Sequence, residues 1–174
     1  AMMSGVTPGI QPVIFKYFIR RIRFSSLDPD QLAQVEEYRS KGYLVSKDMY
    51  SENTLVVEVP SKDPLMDNVA NREIVEEAEE ISLSDMLSVQ RMYQMFYADN
   101  AVSFTANLSQ DHLDTLGSTP DERVSSLCMA LRPFLGVLKG TTVMVSGSRP
   151  QAPFERLSED EYYEYDEFFR VMQD

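Results

Sequence analysis

The stretch Val13-Ile-Phe-Lys-Tyr-Phe-Ile-Arg-Arg-Ile-Arg-Phe24 carries the choice between helix and sheet for the first part of the chain. Phe15, Phe18, Ile19 and Ile22 fall at i, i+3, i+4 and i+7. Lys16, Arg20 and Arg23 group on another side at ~100° per residue, so the spacing predicts an amphipathic helix. The last four residues, Arg21-Ile-Arg-Phe24, alternate instead, and the end of the segment can equally enter a strand. The segment lies in a basic region. Residues 1–27 hold Lys16, Arg20, Arg21 and Arg23 and no acid, a charge of +4 against −16 for the remainder.

Downstream, local signals are clearer. Asp28-Pro-Asp-Gln31 supplies an N-cap, a proline in the first turn and an acidic start, and Gly42 after Lys41 is a stop, so a helix fills the interval. Thr54-Leu-Val-Val-Glu-Val59 predicts a buried strand ended by Pro60, with a loop over 61–70. Ser82 and Asp85 cap a helix running to about Tyr97, with Met86, Val89, Tyr93 and Phe96 as its core face. Ala101 to Leu108 alternates as a strand through Val102, Phe104 and Ala106. Thr119-Pro-Asp-Glu122 boxes a further helix whose Val124, Leu127, Cys128 and Leu131 mark one face, which turns Cys128 inward. Val137 to Val145 reads as a strand interrupted by Lys139 and Gly140, followed by a turn at Ser146-Gly-Ser148 and an extended loop from Pro150 to Pro153. Ser158 and Glu161 box a last helix, packed through Tyr162, Tyr165, Phe169 and Met172. The alternation of helix and strand predicts an α/β fold with parallel crossovers.

At 174 residues, 43% hydrophobic and 25% charged, the chain is long enough for one domain with a real core, read here as residues 1–174. It subdivides into a start at 1–3, a basic loop and helix at 4–27 and an acidic α/β region at 28–174. The opening Ala1-Met-Met3 reads as an artificial start. A net charge of −12 argues against a broad grip on nucleic acid or an anionic membrane, and any phosphate site must be local. One cysteine rules out an internal disulfide and, with no signal peptide in view, favours a reducing, cytoplasmic setting. It also rules out a cysteine-rich metal site or a dithiol reaction completed within this polypeptide. His112, the sole histidine, reads as a surface residue with no partner at ligand spacing, which disfavours a zinc or serine–histidine hydrolase. Glu76 and Glu80, one helical turn apart, read as a solvated acidic face, as does the acidic segment from Glu155 to Asp174. Ser4, Gly5, Val6, Thr7, Pro8 and Gly9 form a small-residue turn of the kind that can bring backbone N–H groups to a phosphate beside nearby cations.

Five blocks in order carry a resemblance. Gly5-Val-Thr-Pro-Gly-Ile10, Tyr17-Phe-Ile-Arg-Arg-Ile-Arg23, Ala98-Asp-Asn-Ala-Val-Ser103, Lys139-Gly-Thr-Thr142 and Pro150-Gln-Ala-Pro-Phe-Glu155 resemble the C-terminal part of adenosylcobalamin-dependent (class II) ribonucleotide reductases. The resemblance implies a portion of that family's ten-stranded α/β barrel, in which ribonucleotides are reduced by thiyl-radical chemistry. It implies that the radical cysteine, the redox cysteine pair, their neighbouring asparagine and glutamate, and the cobalamin site lie outside the matched blocks. Cys128 matches none of those positions. The family's phosphate loop comes immediately before the Gly5 block, so Ser4, Gly5, Val6, Thr7, Pro8 and Gly9 are candidates for the rim of the substrate site, with Arg20 and Arg21 as electrostatic support. The expectation is a reductase fragment, inactive alone and binding no adenosylcobalamin alone, whose partners are the N-terminal remainder and, in the complete enzyme, a ribonucleotide. Cut strand edges also favour self-association. The alternative is a stand-alone nucleotide- or protein-binding module on the same scaffold.

Overall fold

The computed structural model describes residues 10–146 and 150–173, with side chains placed as far as Phe169. The polypeptide divides into two units, one holding residues 10–14 and 64–146 and the other 15–63 and 150–173. The proposed turn at Ser4, Gly5, Val6, Thr7, Pro8 and Gly9 lies outside the described residues, as do Gly147, Ser148 and the side chain of Met172.

In the second unit, β1 (Tyr17–Ser25) pairs antiparallel along its whole length with β3 (Thr54–Lys62). β2 (Leu44–Lys47) and β6 (Phe154–Arg156) flank this pair in the order β2-β3-β1-β6, every pairing antiparallel. Of the segment 13–24, where the spacing favours a helix and the last residues also allow a strand, residues 17–24 are strand and no part is helix. Its ends explain the misleading period. Phe18, Ile22 and Phe24 lie on one sheet face, where α1 (Pro29–Ser40) closes a core through Val35 and Tyr38 with Val57, Leu55 and Val45. Tyr17 and Ile19 lie on the other face, beneath α6 (Glu159–Gln173). A strand covered on both faces loses strict alternation, and its apolar residues can then imitate a helical stripe. Pro60 does not end β3, because β2 pairs only as far as Glu58 and the missing N–H falls where β3 has a neighbour on one side alone.

The first unit is built on α3 (Leu83–Phe96), with a short α2 (Leu65–Asn68) before it in place of a plain loop. β4 (Thr105–Leu108) leads through α4 (Gln110–Leu116) and α5 (Pro120–Leu131) to β5 (Thr142–Val145), which pairs parallel to it. Leu83, Met86 and Leu87 pack with Phe104, Ala106, Leu108 and Phe134. The expected parallel crossover thus holds for β4 and β5, while the four-stranded sheet is antiparallel and corrects the fold reading. The acidic stretch 71–80 is no helix: it holds a 3₁₀ turn at Arg72–Ile74, and the Glu80 carboxylate accepts from the Glu77 N–H at 2.7 Å, so Glu76 and Glu80 do not share a helical face.

The caps were legible because they are local. Asp28 accepts from the amides of Asp30 and Gln31, Thr119 and Glu122 form a reciprocal box, and Ser158 and Glu161 form another. Hydrogen bonds from Gln31 hold the Asp28 carboxyl below its ordinary range, backbone N–H groups of Thr119 and Ser118 do the same for Glu122, and that of Ser158 for Glu161. Depressed native pKa values give stability that is complete above the ordinary carboxylate pKa of about 4 and is lost as the pH falls through the native values. Helicity followed by circular dichroism should fall in that acid window. Asp28→Asn, which still caps, should remove its share of the pH dependence while leaving neutral stability nearly unchanged.

Candidate functional site

Two of the five sequence blocks meet in the second unit. Residues 150–155 run along β1 as a strap, and the β1 arginines hold it. The Arg21 guanidinium bonds Glu58 at 2.8 Å, the Ala152 carbonyl at 3.1 Å and the Glu155 carboxylate, while its own backbone N–H donates to Pro153 O at 2.9 Å. Arg23 bonds Asp48 at 2.7 Å and the Gln151 carbonyl at 2.9 Å. Gln151 has a positive φ of 50°, a conformation costly for a residue with a Cβ. Its side chain holds it there, accepting from Met49 N at 2.9 Å and donating to Lys47 O at 3.0 Å. Burial pulls the Arg21 pKa down, but the bonds to Glu58 and Glu155 outweigh it and the net direction is up. Asp48 is held low by the Tyr50 amide first and Arg23 second.

Arg20 and Arg21 are adjacent but lie on opposite faces of β1. Arg20 is half-buried, opposite Val59 and Phe154, and its guanidinium has no hydrogen bond or ion pair among the described residues. Arg21 is committed to two carboxylates. Of the proposed pair, only Arg21 is paired with carboxylates among the described residues.

The blocks 98–103 and 139–142 meet in the first unit, and the residues that join them were missed in the sequence. Gln94 donates to Ala98 O and Asn100 O at 3.0 Å each and accepts from Val102 N at 3.1 Å. Gln90 donates to Gly140 O at 2.6 Å and Val102 O at 3.3 Å, and Lys139 Nζ reaches the Asp99 carbonyl. Both glutamines are buried on the core face of α3. Hydropathy gives no signal for them, since glutamine scores as polar and only the location of unpaired loop carbonyls calls for it. The expected face was misplaced accordingly: Met86 is buried, but Val89 and Phe96 are exposed.

His112 is not a free surface residue. Its Nδ1 accepts from the Ser109 N–H at 3.0 Å, and its Nε2–H donates to Ile81 O at 2.9 Å, which fixes the tautomer and caps α4. Cys128 is exposed rather than inward: Leu127, Ala130 and Leu131 take the core side of α5, and Cys128 sits ~100° round from Leu127. Among the described residues no group of three or more histidine, cysteine, aspartate or glutamate side chains could hold a metal ion. No described helix is long and apolar enough to cross a membrane. Beneath α6 the sheet leaves a cavity of about 560 Å³ lined by Ile19, Leu44, Pro60, Tyr165 and Phe168, with Glu58, Glu161 and Glu164 at its polar side.

No protein-family model matches the chain. It is nevertheless homologous to a portion of the adenosylcobalamin-dependent, class II ribonucleotide reductases. It is 45% identical over 170 residues to a protein of Mycobacterium phage D29 described as a "putative adenosylcobalamin-dependent ribonucleoside-triphosphate reductase", covering 93% of this chain and 23% of the relative. It is 30% identical over 164 residues to the adenosylcobalamin-dependent ribonucleoside-triphosphate reductase of Lactobacillus leichmannii, covering 93% of this chain and 20% of that protein. The crystal structure of a B12-dependent class II ribonucleotide reductase superposes with a TM-score of 0.65 and 27% identity, over 94% of this chain and 20% of that one. The chain therefore spans about a fifth of the length of the curated relatives it matches. The pocket beneath α6 presents carboxylates, and the imidazole of His112 has both nitrogens engaged.

Proposed function

We propose that this chain is the C-terminal part of a class II ribonucleotide reductase barrel, the segment beyond the substrate phosphate loop, and that it acts with the remainder of the enzyme to reduce ribonucleotides. The observation that carries the reading is the similarity over 93% of the chain to such reductases. The pairing of the sequence blocks supports it. The strap on β1 and the glutamine-held loops are built by those blocks. In this reading Ser4, Gly5, Val6, Thr7, Pro8 and Gly9 belong to the rim of the substrate phosphate site, Arg20 is the candidate for its electrostatic support, and Arg21 serves the strap. Adenosylcobalamin, the radical cysteine and the dithiol that delivers two electrons belong to the remainder, since a chain with one cysteine cannot form a redox pair.

The test is complementation. Alone with adenosylcobalamin, ribonucleoside triphosphate and a dithiol, the chain should yield no deoxyribonucleotide. Co-expressed with the upstream polypeptide of its reductase, it should restore turnover. Reduction by the isolated chain would overturn the reading, and tight nucleotide binding unaffected by the upstream polypeptide would favour a separate binding module.

A further inference from the structure

Helix α6 carries Glu161, Glu164, Tyr165 and Phe168 at i, i+3, i+4 and i+7, a single stripe that begins acidic and ends aromatic. The stripe lines the cavity of about 560 Å³ over the sheet. The opposite wall follows from strand register. Ile19 of β1 stands across from Pro60 of β3, and Leu44 of β2 across from Glu58, so one row of the sheet is apolar and the next carries a carboxylate. The helix is fixed before and after the stripe. Tyr17 Oη donates to Glu159 at 2.8 Å and its ring lies 5.2 Å from that of Tyr162, while Phe169 stacks on Tyr43 at 4.2 Å. Those contacts give the cavity fixed walls.

Three carboxylates thus line one apolar and aromatic space, and among the described residues no lysine or arginine side chain lines it. Glu58 gives Oε1 to Arg21, and Glu161 accepts with Oε2 from the Ser158 N–H and hydroxyl. The bonds from Ser158 position Glu161 and hold its pKa below the ordinary range. Like charges at i and i+3 repel, so Glu161 and Glu164 strain the first turns of the helix, and a cation between them removes that repulsion. Aromatic faces beside them attract the same charge. The apolar floor adds a demand for hydrocarbon. A hydrated metal ion leaves Ile19, Leu44 and Pro60 uncovered, whereas a methylene stem covers them. Carboxylates on two walls call for a charge at each end of that stem, and a cavity of this volume has the size of small-molecule sites.

We propose that the cavity beneath α6 binds an aliphatic polyamine. One ammonium group lies between Glu161 and Glu164, the methylene stem runs over Ile19 and Pro60 against Tyr165 and Phe168, and a second ammonium group reaches Glu58. Every contact comes from the second unit, so the site stands whether or not the upstream polypeptide is present.

Titration calorimetry of the full chain with spermidine at low ionic strength tests it, with hexaamminecobalt(III) as a compact ion of equal charge and butylamine as a single charge on a similar stem. Spermidine should bind saturably at one site, about tenfold more tightly than either comparison ion. Glu164→Gln and Phe168→Ala should each weaken it about fivefold with helical circular dichroism unchanged. Glu52→Gln, the same charge loss at an exposed turn outside the cavity, should change it by less than about twofold. Equal binding of hexaamminecobalt(III), or equal losses in Glu52→Gln and Glu164→Gln, would reduce the effect to the general field of a chain of net charge −12 and overturn the site. Butylamine as tight as spermidine would overturn the two-ended ligand, and unchanged affinity in Phe168→Ala would overturn the packed stem. Absence of saturable binding at millimolar spermidine would overturn the proposal outright.

Discussion

Arg21→Met should release the 150–155 strap and destabilise its unit by about 2–4 kcal/mol in urea unfolding. The side chain is 12% exposed and serves Glu58, Glu155 and the Ala152 carbonyl at once. Methionine keeps much of the stem packing and removes the fork. Glu58, with its side chain 23% exposed, is then left without its partner, and that uncompensated charge supplies most of the cost. The double variant Arg21→Met/Glu58→Gln should recover part of the loss, because it removes the orphaned carboxylate. Arg21→Lys should fall between wild type and Met, since a point cation cannot replace a three-way planar donor. Hydrogen exchange at the backbone amide of position 21, which donates to Pro153 O, should accelerate in the Met variant. A loss below about 0.5 kcal/mol would mean that the strap is held by Gln151 and Arg23 without help.

Gln94→Met should cost about 3 kcal/mol, and more than Gln90→Met at about 1–2 kcal/mol. The order follows from what each change leaves behind. Gln94 satisfies the Ala98 and Asn100 carbonyls and the Val102 N–H, so a methionine of similar length strands three backbone groups in the 98–103 loop. Gln90 serves two carbonyls, but its own Oε1 is buried without a partner, and removing that acceptor offsets part of the loss. Thermal unfolding of the two variants under one condition decides it. The reverse order would show that the link to Gly140, not the 98–103 loop, is what the buried amides sustain.

The helices that sequence reading located correctly have signals that are complete within four residues. Asp28, Ser82, Thr119 and Ser158 each satisfy amides two or three positions ahead, so cap and helix are decided together. Stripes of apolar residues were less dependable. In β1 they arose from a strand covered on both faces, and in α3 the expected face straddled the buried and exposed sides, so Val89 and Phe96 were placed inward. Cys128 was misplaced because the core stripe of its helix is Leu127, Ala130 and Leu131, which leaves Cys128 ~100° round from Leu127. Short strands such as β2 and β6 left no readable pattern. They owe their conformation to the long β3 and β1 beside them.

For the candidate site the division is similar. By itself the sequence determined the kinship with class II reductases, the basic start, the lone cysteine and histidine, and the capped helices, because composition and local hydrogen bonding need no distant partner. The tertiary structure decided which blocks meet, that among the described residues Arg21 is bound to carboxylates while Arg20 is not, that His112 caps a helix, and that two glutamines carry loop carbonyls in a core. Each of these depends on groups from about 10 to 130 positions apart satisfying one another's hydrogen bonds, and which distant groups pair is fixed by strand register and by the sheet face from which each side chain projects.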